Sequence, residues 1–536
     1  MSSPARYKLE VARTLWGTGM FTPERPDKAV RALGQLRRWG TTPAAGYGAA
    51  AVRYPDRLAL VDERGALTFG EVDARTNALA RVLAREGVRE QDGVAIMCRN
   101  HRGFIEASVA CAKVGASVLY LNTAFAGPQI VDVLKREAPT ALIYDQEFAG
   151  LVREGCAGRK CFVAWCEPGE QTEHPPLEEL IGQASRQPLQ PPQESGRVVI
   201  LTSGTTGTPK GAARKQPDSI GPLAALFSKI PLRARETTVI AAPLFHSWGF
   251  AHFTMSLPLA STLVLRRRFD AEDTLRAVAQ HRASALAVVP VMLQRILDLP
   301  PETIAKHDLH ALRIVALSGS ALPGELATRA MDALGDVLYN LYGSTEVAWA
   351  TIATPRDLRA APGTAGRPPL GTEVKLLDPA GHEVPRGESG RIFVCNEMMF
   401  EGYTGGGGKE IVGGLMSTGD VGHLDAEGRL FVDGRDDEMI VSGGENVFPR
   451  EVEDLLADHR EIEEAAVVGI EDSEFGQRLK AFVVRRNGSE LDEEAIKKYV
   501  KENLARYKVP REVVFLPELP RNATGKVLKR ELAVSD

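Results

Sequence analysis

Between Leu201 and Gly211 the chain reads LTSGTTGTPKG, eleven positions holding three Gly, four Thr, one Ser and one Lys behind a short apolar run. Small residues let backbone N–H groups come close to an anion. The hydroxyls of Ser203, Thr205, Thr206 and Thr208 can donate to phosphate oxygens, and Lys210 adds a point charge. That composition suits a polyphosphate. It is not a Walker-type loop, because Pro209 precedes the lysine and Gly211 follows it. Taken alone, the stretch also reads as a flexible Gly/Thr turn.

Such a loop acts only where strands and helices hold it. Helical and strand-like patterns alternate along the chain: Ala74–Ala84 reads as a helix and Gly93–Met97 as the strand after it. The runs SALAVVP (284–290) and LRIVALSG (312–319) read as buried strands ending in Pro, Ser or Gly, where open α/β sheets place their ligands. The fold class is therefore α/β. A Pro- and Gln-rich connector, residues 187–196, precedes the Gly/Thr loop. Beyond DGRDDEMIVSGGENVFP (433–449) the chain changes to strands near 465–470 and 481–484, then a helix with Ile496, Val500 and Leu504 on one face. The expected organisation is an N-terminal extension at 1–45, a large domain at 46–434, a hinge at 435–438 and a small C-terminal domain at 439–536.

At 536 residues, 44% hydrophobic and 25% charged, the chain has the composition of a globular protein. Its formal net charge of −5 gives no overall pull towards nucleic acid. Six cysteines without CxxC spacing argue for a reducing compartment and against a zinc site, and Cys156, Cys161 and Cys166, five residues apart, read as core packing. The N-terminus carries no secretory pattern, so the expected location is the cytoplasm. The first 45 residues mix Arg and Lys with Leu9, Trp16 and Phe21. That mixture could touch an anionic membrane surface, although packing on the main domain is preferred. Thr237–Leu265 holds no charged residue, but Pro243, His246, Gly249, His252 and Pro258 favour a buried strand, loop and helix over a membrane span.

TSGTTGTPKG at 202–211, YGSTE at 342–346, STGD at 417–420, DGRDDEMIVSGGENVFPREVE at 433–453 and NATGKVLKREL at 522–532 together resemble the ordered motifs of the adenylate-forming superfamily. That superfamily includes acyl-CoA synthetases, aryl-CoA ligases, peptide-synthetase adenylation domains and firefly luciferases. The resemblance implies a large N-terminal domain of stacked α/β subdomains with a small mobile α+β C-terminal domain. It also implies a two-step reaction using ATP, Mg²⁺ and CoA: a carboxylate is joined to AMP with release of pyrophosphate, then the acyl group passes to a thiol.

By the same resemblance Thr202, Ser203, Gly204, Thr205, Thr206, Gly207 and Lys210 hold ATP phosphates, Thr345 lies beside them and Glu346 holds Mg²⁺. Tyr342, with Gly343, stacks on adenine, and Ser320 and Ala321 run along the base. Asp420 accepts from the ribose hydroxyls with help from Arg435. Asp437 is the hinge, with the adjacent Asp436 easily confused with it. Lys526 bridges the attacking carboxylate and the α-phosphate, and Gly443 and Gly444 admit a pantetheine arm.

His246 in PLFHSWGF is expected near the carboxylate, with Trp248, Phe250 and Phe253 lining or gating an acyl tunnel; a structural His and ordinary aromatic packing are the competing readings. One segment departs from the common pattern: TGGGGKEIVGGLMSTGD (404–420) is shortened and glycine-rich, although its aspartate survives. The leading expectation is a medium- or long-chain fatty acyl-CoA ligase. The alternatives are an aryl-CoA ligase, an acyl-AMP ligase serving a carrier protein, and a catalytically silent lipid- or nucleotide-binding protein.

Overall fold

The computed structural model describes residues 4–22, 25–125, 127–202, 210–214, 217, 219–438, 440–442, 445–472, 476–522 and 525–534. Two large sheets lie side by side. One has eight strands, in spatial order Thr351–Ala353, Leu338–Tyr342, Ile314–Leu317, Ala285–Val288, Thr237–Ile240, Thr262–Leu265, Leu58–Asp62 and Gly65–Thr68. Its inner strands are parallel, and both edges are antiparallel. The second has seven strands, in the order Gly402–Tyr403, Lys210–Arg214, Val198–Thr202, Ser117–Tyr120, Gly93–Met97, Ala141–Asp145 and Lys160–Trp165.

Parallel strands covered on both faces read as unbroken apolar runs, and Ala285–Val288, Ile314–Leu317 and Thr262–Leu265 are buried at every position. The two sheets share one core. Val94, Ile96 and Tyr120 from the second sheet and Leu60, Leu263 and Ala287 from the first pack into it with helices Phe69–Arg85 and Arg102–Val114. Thr68 starts the former helix with a reciprocal capping box to Glu71. The uncharged stretch folds as the strand Thr237–Ile240, the helix Ser247–Leu259 and the strand Thr262–Leu265. Among the described residues no helix is long and apolar enough to cross a membrane.

A third sheet, built on Glu373–Leu377, Gly390–Cys395 and Leu415–Leu424, carries the STGD segment. The glycine-rich departure before it forms a tight antiparallel hairpin, Ile411–Val412 against Leu415–Met416, turning through Gly413 and Gly414, both at positive φ. The C-terminal unit has its own sheet, including Ile462–Asp472 and Gly476–Arg485, and its own core around Ile440, Val467, Ile496 and Val500. The expected α/β architecture with a small α+β C-terminal unit is therefore present.

At the other end, three helices precede the first strand: α1 (Pro4–Gly17), α2 (Pro26–Trp39) and α3 (Pro43–Arg53). Leu15 and Trp39 are buried against the main body. α3 runs unbroken through residues 45 and 46, so the division expected there falls inside a helix.

Candidate active site

Parallel α/β sheets leave their ligand crevice at the carboxyl ends of the strands. Both large sheets do so at one cavity of about 1330 Å³. It is reached by the segments following Thr237–Ile240, Ile314–Leu317 and Leu338–Tyr342, and by Lys210 beyond the strand Val198–Thr202. A single-ligand pocket holds roughly 300–1,000 Å³. The cavity has room for more than one reactant.

One end is polar. The Tyr342 hydroxyl donates to Asp420 Oδ2 at 2.6 Å and lies 3.2 Å from Thr418 Oγ1. Asp420 and Arg435 are paired in register across adjacent strands, which brings Arg435 Nη1 to 3.3 Å from Asp420 Oδ1. Burial pushes the Asp420 carboxyl up, while Tyr342, Arg435 and Lys526 pull it back. The Tyr342 phenol is held well above its ordinary value by burial and by the Asp420 carboxylate. Gly343 fits tightly here: a Cβ would stand 2.4 Å from the Ala348 carbonyl oxygen. Ser318, Gly319, Ser320 and Ala321 form a loop along the same wall, with Gly319 at φ +99.

A second polar group surrounds Glu346, which is buried and accepts a hydrogen bond from the Tyr403 hydroxyl at 2.8 Å. Lys210 Nζ sits 5.3 Å from the Tyr403 ring centroid. Arg214, on the same strand as Lys210, donates to the Thr345 carbonyl oxygen; burial lowers its guanidinium to about 10, and Glu346 opposes that shift. The strands Val198–Thr202 and Lys210–Arg214 form a hairpin with Thr202 opposite Lys210. Ser203, Gly204, Thr205, Thr206 and Gly207 lie outside the described residues.

Lys526 arrives from the C-terminal unit on a turn closed by Asn522, whose backbone N–H donates to the Lys526 carbonyl at 2.9 Å while its Oδ1 accepts the Lys526 N–H at 2.9 Å. Gly525 lets this turn seat against the large unit: at φ +80, a Cβ would meet Val291 Cγ1 at 2.3 Å. Lys526 thereby lines the same cavity as Tyr342 and Asp420. Asp436–Glu438 forms a 3₁₀ turn at the expected hinge, and Asp436 accepts from Arg391 Nε at 3.1 Å. The Asp437 side chain, Gly443 and Gly444 lie outside the described residues.

The other end of the cavity is apolar. His246 stands at the start of the helix Ser247–Leu259 and lines the cavity close to Gly319. Among the described residues its Nδ1 meets no hydrogen-bond partner, and burial lowers the ring to about 4. The imidazole is thus neutral near pH 7. Trp248 lines the cavity with its indole N–H donating to the Val288 carbonyl at 3.1 Å, and Phe250 lines it beside the Tyr120 ring. Phe253 does not line it. One helical turn on from Phe250, Phe253 points into the closed core against Tyr47 and Phe250, where the packing reading accounts for it.

Three cavity residues escaped the sequence reading. Asn340 is buried in the cavity wall, and among the described residues its Oδ1 has no donor. Its signal lay two residues before Tyr342 on the same strand, since alternate strand residues share a face. Tyr403 and Arg214 flank known motifs but meet Glu346 and Thr345 only through strand pairing, Tyr403 lying opposite Ala212. The cysteines also gain a neighbour: His174 joins Cys156 and Cys161 in a group whose ligand atoms lie within 4.8 Å of one another. Its Nδ1 is 2.8 Å from the Tyr144 hydroxyl.

A polar end facing an apolar recess, with a lysine delivered from a second unit, is an arrangement that suits an AMP-forming acid–thiol ligase, the class to which the family matches assign this chain. The AMP-binding enzyme family profile matches residues 48–404, and that of the AMP-binding enzyme C-terminal domain matches residues 451–526. The chain belongs to the AMP-binding enzyme family. It is 33% identical to an indoleacetate–CoA ligase of Aromatoleum aromaticum over 90% of this chain and 94% of that one. It is also 33% identical to a 2-succinylbenzoate–CoA ligase of Geobacillus kaustophilus, over 89% and 95% of the two chains. Among solved structures, it resembles the o-succinylbenzoate CoA synthetase of Bacillus subtilis in complex with its acyl-adenylate intermediate. There the TM-score is 0.80 at 27% identity, covering 92% of this chain and 98% of that one.

Proposed function

We propose that this chain activates an extended apolar carboxylic acid as its acyl adenylate and transfers the acyl group to the thiol of CoA. The observation that carries this reading is the continuity of one cavity from Asp420 and Lys526, past His246 and Phe250, to apolar residues of the N-terminal segment such as Met20, between α1 and α2, and Leu33 on α2.

In the first step a carboxylate oxygen attacks the α-phosphorus of ATP and pyrophosphate leaves. Two anions must meet, so cationic groups have to face the developing charge. Lys526 holds the carboxylate against the α-phosphate, and Lys210 draws off charge on the leaving side. Asp420, with Tyr342 and Arg435, receives the ribose. The unmatched Asn340 Oδ1 suits a donor such as the adenine amino group. Glu346 is a buried carboxylate on this wall, a hard oxygen ligand that would hold a magnesium ion, whose charge would offset that of the leaving pyrophosphate. His246, neutral in its recess, places a polar ring atom beside the acid without adding charge. In the second step the CoA thiolate sulfur bonds to the acyl carbon and AMP leaves. A rotation at Asp436–Glu438 would first carry Lys526 away.

An aryl acid is the reading favoured by relatives named for indoleacetate, ferulate and 2-succinylbenzoate. A medium- or long-chain fatty acid is the second reading, favoured by the apolar lining of the recess. Thioester formation with ATP, Mg²⁺ and CoA across saturated acids, indoleacetate, ferulate and benzoate separates them. A kcat/KM peak on an aromatic acid supports the first reading, and a peak on a long aliphatic acid replaces it with the second. Adenylate without thioester moves the acceptor to a carrier protein, and no pyrophosphate with any acid overturns the proposal.

A further inference from the structure

We propose that the outer face of α1 and α2 docks on an anionic phospholipid bilayer, and that the acid enters the cavity from that bilayer between Phe21, Leu33 and Leu36. The entry route rests on the function proposed above; the docking does not.

Large apolar side chains left in water are normally scattered over a surface. Among the described residues ten are exposed, and six of them, Leu9, Trp16, Phe21, Val30, Leu33 and Leu36, fall within residues 9–36. Trp16 and Val30 are 72% and 70% exposed. Packing does not require them, because α1 and α2 already bury Leu15 and Trp39 against the body. Val30, Leu33 and Leu36 recur every three residues, which places them along one stripe of α2. The Trp16 and Phe21 rings stack with centroids 6.4 Å apart, a pair of the kind that settles at a membrane–water interface.

Charge names the occupant. Residues 4–39 hold eight Lys and Arg against three Asp and Glu, in a chain whose formal net charge is −5. Two of those acids, Glu10 and Asp27, are already engaged by Arg6, Arg25 and Arg31. An apolar stripe edged with basic residues matches acyl chains below anionic headgroups. With no membrane-crossing helix among the described residues, the face would lie on the bilayer rather than span it.

The cavity reaches this same face. Phe21, Leu33 and Leu36 are each about half exposed, yet each lines the cavity that contains Trp248 and Phe250. A mouth framed by side chains that face outward and inward at once leaves an apolar acid no aqueous stretch to cross.

Flotation of the full chain with vesicles of phosphatidylcholine, alone or mixed in equal parts with phosphatidylglycerol, tests the docking without any catalysis. The wild type should rise with the anionic vesicles, weakly with neutral ones and less at high salt. Leu9→Ser/Trp16→Ser/Val30→Ser changes three residues outside the cavity lining and should lower the bound fraction roughly tenfold or more. Thioester formation from a short water-soluble acid should stay unchanged in that variant, which shows that it folds. With an acid supplied inside anionic vesicles, the wild type alone should work fast. Wild type that stays below the vesicles at every composition overturns the proposal, as does a triple variant that floats equally well. So does a dimer, seen by sedimentation velocity, that the triple variant abolishes while the wild type ignores vesicles, since a second copy then covers the face. Loss of activity on every acid with flotation intact would instead strike the function proposed above.

Discussion

The two ends of the cavity are built on opposite principles. At the polar end Tyr342, Asp420 and Arg435 converge from two sheets, tied by hydrogen bonds, and Lys526 lines the same cavity from the C-terminal unit. At the apolar end small and aliphatic residues of α2, α3 and the helix Ser247–Leu259 shape a recess with almost no hydrogen bonds. Charge placement tolerates little change, because each group works through distance and desolvation. An apolar wall tolerates substitution as long as volume is kept. Under the proposed function, the first end governs whether the reaction runs, and the second governs on what.

The sharpest way to break this division is Lys526→Ala. Adenylate formation, read as pyrophosphate release or ATP–pyrophosphate exchange, should fall about 10²- to 10³-fold. Transfer from preformed acyl adenylate to CoA should stay within a few-fold of wild type. Adenylation near the wild-type rate would remove Lys526 from the first step.

Asp420→Asn should follow with a rise of about 10- to 100-fold in KM for ATP, since the amide loses the charge that Tyr342 and Arg435 address. KM for the acid should change little. An equal rise in both would mean that the polar end is not separate from the apolar one.

Ala49→Phe sharpens the comparison from the other side. Ala49 lines the recess from α3, and a ring there should raise KM for the longest acid accepted about tenfold while leaving a short acid and ATP unaffected. Equal losses on short and long acids would place Ala49 outside the acyl path.

His252 provides the smallest effect, in stability rather than rate. It is buried against the edge of Trp248, and among the described residues neither ring nitrogen has a partner. Burial lowers its pKa from 6.5 to about 3. The unfolded chain therefore binds a proton that the folded one refuses between those values, so stability falls as pH drops below 6.5. His252→Leu should gain about 1–3 kcal/mol near neutrality from losing the unmatched polar atoms, and more at pH 5. Thermal melting at pH 8 and pH 5 measures both, and an unchanged pH dependence would show that His252 finds a partner.

The polar end was largely legible before folding was considered. LTSGTTGTPKG, YGSTE and STGD are contiguous because a turn at a strand end must place several groups within a few residues, so chemistry there leaves a local trace. Asn340 shared a strand with a recognised motif and was still missed, because one Asn on a strand looks structural until its unmatched oxygen is seen in a cavity wall. Tyr403 and Arg214 left no trace at all, since strand pairing between distant segments joins them to the site. The apolar end was legible only as a suspicion about Trp248, Phe250 and Phe253. It split accordingly: Trp248 and Phe250 line the recess, while Phe253, packed against Phe250 and Tyr47, is buried behind them in the core.

The amino-acid sequence by itself determined the α/β class, the family and the order of the polar motifs, because apolar runs, caps and short polar motifs are set by residues near one another in the chain. Only the tertiary structure decided that Lys526 lines the same cavity as Asp420, that His174 stands beside two cysteines, and that α2 shares its residues between an apolar recess and an exposed basic, apolar face. Those relations join segments far apart in the chain, and they come into being only when long-range packing brings their surfaces together.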